Sequence, residues 1–131
     1  REAQAKAEAG VPSGTRVLLV EDDADVMAVA RTFLDALGCE VLACANAQEA
    51  LALLDAEPVD LLVTDVLLGR GMRGDELAMQ ARQRIAGLPV LLVSGFSGDL
   101  PGEAGRWPML HKPYTRAQLE AAVESVLKAG R

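Results

Sequence analysis

Five short apolar stretches alternate with segments of helical periodicity along this chain, and this alternation limits its fold more than any other feature. The clearest stretch is Leu61–Asp65, which is apolar until it reaches a carboxylate. Strands that are apolar throughout are typical of parallel sheets, because both faces of such a sheet are buried. Strands that alternate with helices form right-handed βαβ units. The sequence therefore predicts an α/β protein whose five-stranded parallel sheet is covered by helices on both faces.

Capping signals and glycine positions predict where the helices begin and end. Asp23 or Asp25 is expected to cap the first helix, and Gly38 to end it. The pairs Asn46 with Glu49 and Thr115 with Gln118 have the spacing of capping boxes for two further helices. A third helix is expected over about 77–85, whereas residues 96–106 are rich in glycine, so a helix there should be short or irregular. The predicted strands are 16–20, 40–45, 61–65, 90–93 and 107–111.

The first fourteen residues differ in composition from the rest of the chain. Residues 1–10 are rich in alanine and charge, and residues 10–14 contain glycine and proline. We interpret 1–14 as a linker or the end of an upstream element, and 15–131 as one domain, which is long enough to bury a core. Because the chain begins with Arg1 rather than Met, we expect it to be part of a longer protein.

Charge and cysteine content exclude several classes of function. The formal net charge of −6 argues against a nucleic-acid-binding surface. Cys39 and Cys44 lie an odd number of positions apart, so on a strand they would point to opposite faces and could not pair. Neither has metal-site spacing, and we interpret both as packing residues. The chain has no signal peptide and no apolar run of membrane-spanning length, so a cytoplasmic location is expected.

Polar side chains follow four of the five predicted strands, at the point where each strand ends. The carboxyl ends of parallel strands share one edge of the sheet, which is where open α/β folds bind ligands. The second strand ends at Ala45 and contributes none. The side chains brought to this edge are Glu21, Asp22 and Asp23 from the first strand, Asp65 from the third, Ser94 from the fourth and Lys112 from the fifth.

This set of side chains is suited to binding a cation and a phosphoryl group. Neighbouring carboxylates repel one another unless a cation holds them ionised. Oxygen ligands without histidine or cysteine select Mg²⁺, Mn²⁺ or Ca²⁺ rather than zinc. Lys112 and Ser94 offer a charge and a hydrogen-bond donor to a phosphoryl group. Asp65 can itself be the nucleophile, because aspartyl phosphate is an established covalent intermediate.

The chain from about Arg16 to Lys128 resembles the receiver domain of two-component response regulators. The resemblance implies a flavodoxin-like fold, a doubly wound parallel sheet of order 2-1-3-4-5. It also implies a phosphorelay in which a histidine kinase or histidine phosphotransfer protein donates a phosphoryl group to one aspartate. The Lys-Pro-Tyr ending and short fourth-helix region are similar to receivers of hybrid sensor histidine kinases. The matching segments are Val20-Glu21-Asp22-Asp23, Leu62-Val63-Thr64-Asp65, Ser94 and Lys112-Pro113-Tyr114.

The resemblance also implies a role for each matching residue, with Mg²⁺ as the cofactor and Mn²⁺ as a substitute. In this family the lysine–proline peptide, here Lys112–Pro113, is typically cis. Asp23 is interpreted as a helix cap or a bystander. The implied roles are phosphoacceptor for Asp65, direct Mg²⁺ ligand for Asp22, water-mediated ligand for Glu21, carbonyl ligand for Leu67, switch hydroxyl for Ser94 and phosphate-binding lysine for Lys112.

The sequence departs from the family pattern in two regions. After the phosphoacceptor, Leu68-Gly69 replaces the frequent Met-Pro, and one extra residue precedes Gly74. Met109 replaces the switch aromatic, and the segment before it is shorter than usual. Many receivers dimerise through the fourth helix, fifth strand and fifth helix, so we do not expect that dimer here.

Two other classes of protein remain as alternatives. An aspartate-nucleophile hydrolase of the haloacid dehalogenase type needs a second aspartate two residues after the first, where this chain has Leu67. A pseudo-receiver that only binds partners would be favoured if an acid or the lysine were missing, and none is. Binding of beryllofluoride in the presence of Mg²⁺ distinguishes a functional receiver from a pseudo-receiver.

Overall fold

The computed structural model describes residues 11–69, 71–95 and 104–129. Within these ranges the chain forms one five-stranded sheet of order β2-β1-β3-β4-β5, in which every pair of neighbouring strands is parallel. The predicted fold class and strand order are therefore confirmed. The strands are β1 (Arg16–Val20), β2 (Glu40–Cys44), β3 (Leu61–Asp65), β4 (Val90–Ser94) and β5 (Met109–His111).

Four α-helices are present among the described residues, and they cover the two faces of the sheet. They are α1 (Ala24–Ala36), α2 (Ala47–Ala56), α3 (Gly74–Arg84) and α4 (Arg116–Ala129). Alternate strand residues enter opposite layers of the core: Leu62 packs in the cluster that contains buried residues of α2 and α3. Leu61 and Val63 pack in the cluster that contains buried residues of α1 and α4. Because both layers are apolar, β3 has no solvent-facing side, and the residues that it places in these layers are apolar.

The caps predicted from sequence are present at three helices. Asp23 precedes α1 and accepts hydrogen bonds from two backbone N–H groups of its first turn, and Gly38 follows its end with φ +88°. Asn46 accepts a hydrogen bond from the Glu49 N–H at the start of α2. Before α4, Thr115 and Gln118 form a reciprocal capping box with hydrogen bonds of 2.8 and 3.1 Å. These local signals fix the boundaries of the helices.

The connection between β4 and β5 contains one described turn of 3₁₀ helix, Ala104–Arg106. The short helix expected over residues 96–106 falls mostly on 96–103, outside the described residues. The fifth strand begins at Met109, two residues later than predicted, and lies at the edge of the sheet. Pro108 has no N–H to donate, but its carbonyl accepts a hydrogen bond of 2.9 Å from the Leu92 N–H.

Residues 11–15 pack against the domain. Val11 is 7% exposed and belongs to the core cluster on the α1 and α4 side of the sheet. The Gly14 N–H donates a 2.8 Å hydrogen bond to the Gly38 carbonyl. The predicted boundary between residues 14 and 15 remains a prediction. In the described part of the chain, each helix is too short or too polar to cross a bilayer.

Candidate functional site

The carboxyl ends of β1, β3, β4 and β5 lie at the same edge of the sheet. Val20 of β1 pairs with Thr64 of β3, and Asp65 pairs with Val93 of β4. Ser94 in turn pairs with His111 of β5. This register places the residues that follow β1 and β5 level with Asp65 and Ser94. The site predicted from strand ends is therefore assembled by the parallel sheet itself.

Lys112 links the acids contributed by two different strands. Its Nζ lies 2.9 Å from Glu21 Oε1 and 3.1 Å from Asp65 Oδ2. The Lys112 N–H donates a 2.8 Å hydrogen bond to the Ser94 carbonyl, which fixes the start of its side chain against β4. The side chains of Glu21 and Asp65 are 6% and 11% exposed, so both ion pairs are largely shielded from water.

Three acids converge beside this lysine. Carboxylate oxygens of Glu21, Asp22 and Asp65 lie within 4.8 Å of one another. Lys112 supplies one positive charge against three carboxylates, which leaves an excess of negative charge in a partly buried site. A donor set made only of carboxylate oxygens is suited to a hard divalent cation such as Mg²⁺. The residues present therefore fit the cofactor that the sequence predicted.

Burial and neighbouring charges shift the pKa values of Asp65 and Lys112. Burial, followed by the negative charge of Glu21, raises the pKa of Asp65 to about 6, against the opposing effect of Lys112. Burial lowers the pKa of Lys112, but its hydrogen bonds and charge interactions with Glu21 and Asp65 outweigh burial and raise that pKa. The ammonium group therefore stays charged at neutral pH.

A small cavity opens at the centre of the site. Its volume is about 280 Å³, and Asp65, Leu67, Ser94, Gly95 and Lys112 line it. Ser94 is 2% exposed, so its side chain lies inside the fold rather than on the surface. Leu67, which also lines the cavity, is 48% exposed. The cavity therefore brings together a carboxylate, a hydroxyl and an ammonium group, the three groups predicted to handle a phosphoryl group.

The loop that carries Lys112 is anchored on α1. The Lys112–Pro113 peptide is cis, as the resemblance implied. The next residue, Tyr114, packs its ring edge-on against Phe33 of α1, with a centroid distance of 6.1 Å. This aromatic contact fixes the loop to the helix that follows the acids of β1.

Glycines shape the connection between β3 and α3. Gly69 and Gly71 have φ values of +72° and +89°, which proline cannot adopt and other residues adopt only with strain. A Cβ at Gly69 would lie 3.1 Å from Asp22 Oδ2. Gly69, which replaces the family's proline, therefore has a backbone conformation that proline could not adopt. The backbone at this position passes next to Asp22, the acid predicted to bind the metal.

Two features of the site were not found by sequence reasoning. Glu21 was predicted as an acid near the metal, whereas in the structure it also forms the shorter of the two ion pairs to Lys112. In the sequence pattern Gly74 stood out only as the glycine that follows one extra residue, but it contacts the backbone of Asp65 so closely that a Cβ would not fit. No local pattern reports a contact between residues so far apart in sequence. The side chains grouped around Asp65, by contrast, could be predicted, because they stand at the carboxyl ends of the predicted strands.

A doubly wound sheet with three acids, a hydroxyl and a lysine at its carboxyl edge defines the class of receiver domains. Residues 17–124 match the response regulator receiver domain family. The response regulator receiver protein CpdR of Brucella abortus (strain 2308) is 31% identical over 121 residues, which cover 87% of this chain and 98% of that protein. The chain belongs to the response regulator receiver domain family.

Other relatives are longer than this chain. The alkaline phosphatase synthesis transcriptional regulatory protein PhoP of Bacillus subtilis (strain 168) is 27% identical, over 86% of this chain and 48% of that protein. The chain thus spans about half the length of the first curated relatives that it matches.

Solved receiver structures are similar along most of the chain. The receiver domain of the hybrid histidine kinase CckA is 36% identical, with a TM-score of 0.72 over 86% of this chain and 98% of that one. A receiver protein from Sinorhizobium medicae WSM419 has a TM-score of 0.79 at 26% identity, over 90% of this chain and 98% of that one.

Proposed function

We propose that this domain accepts a phosphoryl group on Asp65 from a phospho-histidine donor, with Mg²⁺ as its cofactor and Mn²⁺ as a substitute. The donor is a histidine kinase or a histidine phosphotransfer protein, and phosphorylation changes the binding of a partner. The observation that carries the proposal is the position of Lys112, whose ammonium contacts both Glu21 and Asp65 beside a cavity lined by Ser94. The domain promotes its own modification and is not a conventional enzyme.

In this proposal Asp65 is the nucleophile. One of its carboxylate oxygens forms a bond to phosphorus while the bond between phosphorus and the donor imidazole nitrogen breaks, and the bonding electrons remain on the imidazole. Lys112, which contacts Asp65 at 3.1 Å, offsets the negative charge of the transferred group. The Ser94 hydroxyl then donates a hydrogen bond to a phosphoryl oxygen, since it lines the same cavity.

The metal would be held by Asp22, Asp65 and the Leu67 carbonyl, with Glu21 acting through water. When bound there, the cation supplies positive charge that neutralises the acids and the phosphoryl oxygens. The grouping of the acid oxygens within 4.8 Å supports this assignment. The shared excess of negative charge on Glu21, Asp22 and Asp65 supports it as well, because Lys112 alone does not balance it.

The protein donor is proposed to bind beside Lys112. An apolar cavity of about 480 Å³ shares Lys112 with the site and is otherwise lined by residues of α1 and of the β5–α4 loop. Val29 is 52% exposed there, although it is a large apolar side chain. A donor that must bring an imidazole to Asp65 has to contact the surface next to Lys112, and this surface is the apolar one. The lining residues are Asp25, Val26, Val29, Lys112, Pro113 and Tyr114.

We also propose what the domain is attached to, where it is located and which kind of partner it binds. Its similarity to the receiver of a hybrid histidine kinase supports attachment to a larger kinase, in the cytoplasm. The net charge of −6 supports partners that are proteins rather than nucleic acids, with no membrane contact by this domain.

Substitution of the phosphoacceptor tests the function. Asp65→Asn keeps the size of the side chain but removes the nucleophilic carboxylate, so we expect no phosphorylation by acetyl phosphate with Mg²⁺. Asp55→Asn is the matched control, because Asp55 is an exposed acid of α2 that pairs with Arg84. The measurement is the mass gain of the intact protein. Uptake at the wild-type rate by Asp65→Asn would show that another residue is the acceptor.

A further inference from the structure

Gly74, the first residue of α3, lies directly against the backbone of Asp65. Its N–H donates a 2.7 Å hydrogen bond to the Val66 carbonyl. A Cβ built on Gly74 would overlap the Asp65 carbonyl oxygen, and would lie 2.9 Å from the Asp65 carbonyl carbon and 3.1 Å from Val66 Cα. Gly74 does not have a positive φ, so the backbone conformation is open to any residue. Glycine is needed here for space.

The helix cannot move away to make that space. Leu77 and Ala78 in its first turns are fully buried. Its start is also fixed by Arg73, whose Nε donates a 3.0 Å hydrogen bond to Asp75 Oδ1, and Asp75 is 1% exposed. The Arg73 N–H donates to Glu76 Oε1 at 2.9 Å. A side chain at position 74 would therefore have to displace the peptide between Asp65 and Val66.

That peptide is itself tied to the strand edge. The Val66 N–H donates a 2.9 Å hydrogen bond to the Val93 carbonyl, and the Thr64 hydroxyl donates a 3.0 Å hydrogen bond to the Asp65 carbonyl. The Asp65 side chain must also reach Lys112 Nζ at 3.1 Å. A shift of the peptide is thus transmitted to the carboxylate, because the close packing of the interior leaves no room to absorb it.

We propose that Gly74 is a positioning residue for the phosphoryl-transfer site. By carrying no side chain, it lets the start of α3 rest on the Asp65 peptide and sets the distance of the Asp65 carboxylate from Glu21, Asp22 and Lys112. This inference rests on the proposed function of Asp65. Besides the side chains at the strand ends, the site would then require a residue without a Cβ at position 74.

Comparison of Gly74→Ala with Gly87→Ala tests the proposal. Gly87 has φ +75° and nothing within 4 Å of its added Cβ, so its substitution strains the backbone without touching the site. Both variants are studied where circular dichroism shows them folded. The first measurement is the initial rate of phosphorylation by acetyl phosphate over a range of Mg²⁺ concentrations. The second is the amide NMR spectrum without metal.

We expect the rate of Gly74→Ala at saturating Mg²⁺ to fall by about 100-fold, because a misplacement of about 1 Å costs that much in a positioned reaction. Its half-saturating Mg²⁺ concentration should rise as well, because Asp65 and the nearby Leu67 carbonyl are both proposed to hold the metal. The Asp65 and Val66 amide resonances should shift in the metal-free protein. Gly87→Ala should keep the wild-type rate and these resonances. A folded Gly74→Ala that has the wild-type rate would overturn the proposal.

A second pair of variants covers the case in which Gly74→Ala does not fold. Val66 and Val90 are both fully buried in the same core cluster, but only Val66 adjoins Asp65 and accepts the Gly74 hydrogen bond. Val66→Ala loosens the Asp65 peptide and should lower the rate, whereas Val90→Ala should not. Equal rates in the two variants would overturn the proposal. Failure of the wild type to be phosphorylated at Asp65 would instead refute the proposed function on which it rests.

Discussion

Lys112 is the residue on which the electrostatics of the site depend. Its ammonium contacts Glu21 and Asp65, two acids that are otherwise held close together in a shielded environment. In Lys112→Ala the acids remain available to a cation, but the charge that we propose faces the transferred phosphoryl group is lost. We therefore expect Mg²⁺ affinity and phosphoryl transfer to depend on Lys112 to different degrees.

We predict that Lys112→Ala lowers the rate of phosphorylation by about 100-fold or more, the scale found when one preorganised electrostatic donor is removed. The rate is measured with acetyl phosphate, and Mg²⁺ affinity by titration of the same variant. Lys128→Ala is the control, since Lys128 is 69% exposed on α4 and pairs only with Glu124 among the ion pairs of the described residues. Equal losses of Mg²⁺ affinity and rate would contradict the role assigned to Lys112.

The cysteines give a prediction that does not involve the site. Burial, followed by the charge of Asp35, raises the pKa of the Cys39 thiol to about 11 from an ordinary value of 9.0. Folding therefore favours the protonated thiol, and this contribution to stability is complete below pH 9.0 and is lost as the pH rises through about 11. At pH 8 the native thiol should carry almost no thiolate, which is the reactive form.

Alkylation by iodoacetamide as a function of pH measures this directly, with mass mapping of Cys39. The native protein should react with a midpoint near pH 11, and the urea-unfolded protein near 9.0. Reaction at pH 8 that is as fast in the native protein as in urea would show that Cys39 is neither buried nor shifted.

At the scale of elements, β1, β3 and β4 could be predicted because burial on both faces requires apolar strands. The caps at Asp23 and Thr115 were predictable because capping depends on residues three positions apart. The late start of β5 was not, because the stretch before it has apolar character and only Pro108 marks the difference. Nor was the contact of Lys112 with Glu21, which joins residues 91 positions apart.

Helix α1 and the β5–α4 loop together form the proposed docking surface for the donor. Val29→Glu introduces a charge into the apolar lining of the cavity beside Lys112 without touching the acids. We predict that it slows phosphoryl transfer from a phospho-histidine protein that phosphorylates the wild type, and leaves the rate with acetyl phosphate unchanged. A small donor needs no docking surface.

Met79→Glu is the matched control for this prediction. Met79 is 49% exposed on α3, a similar exposure to Val29, and it does not line the cavity that contains Lys112. Both rates should stay at the wild-type value in this variant. Equal slowing of the protein donor by Val29→Glu and Met79→Glu would contradict the proposed location of the surface.

At the scale of the whole molecule, strand order explains which residue type each strand supplies. Strand β3 lies between β1 and β4, so Asp65 has the acids after β1 on one side and Ser94 on the other. Strand β5 is one strand further away, and only a long side chain can reach Asp65 from its end. Lys112 meets that requirement with a contact of 3.1 Å. The chemistry of the site thus follows from the order β2-β1-β3-β4-β5.

Phosphorylation of Asp65 is tested most directly by mapping the modified residue. The wild-type chain is incubated with acetyl phosphate and Mg²⁺, reduced with sodium borohydride, which converts an aspartyl phosphate to homoserine, and digested for mass spectrometry. We predict homoserine at position 65 and at no other aspartate, and none when Mg²⁺ is chelated. Homoserine elsewhere, or none in the presence of Mg²⁺, would contradict the account, and the latter result would favour a pseudo-receiver.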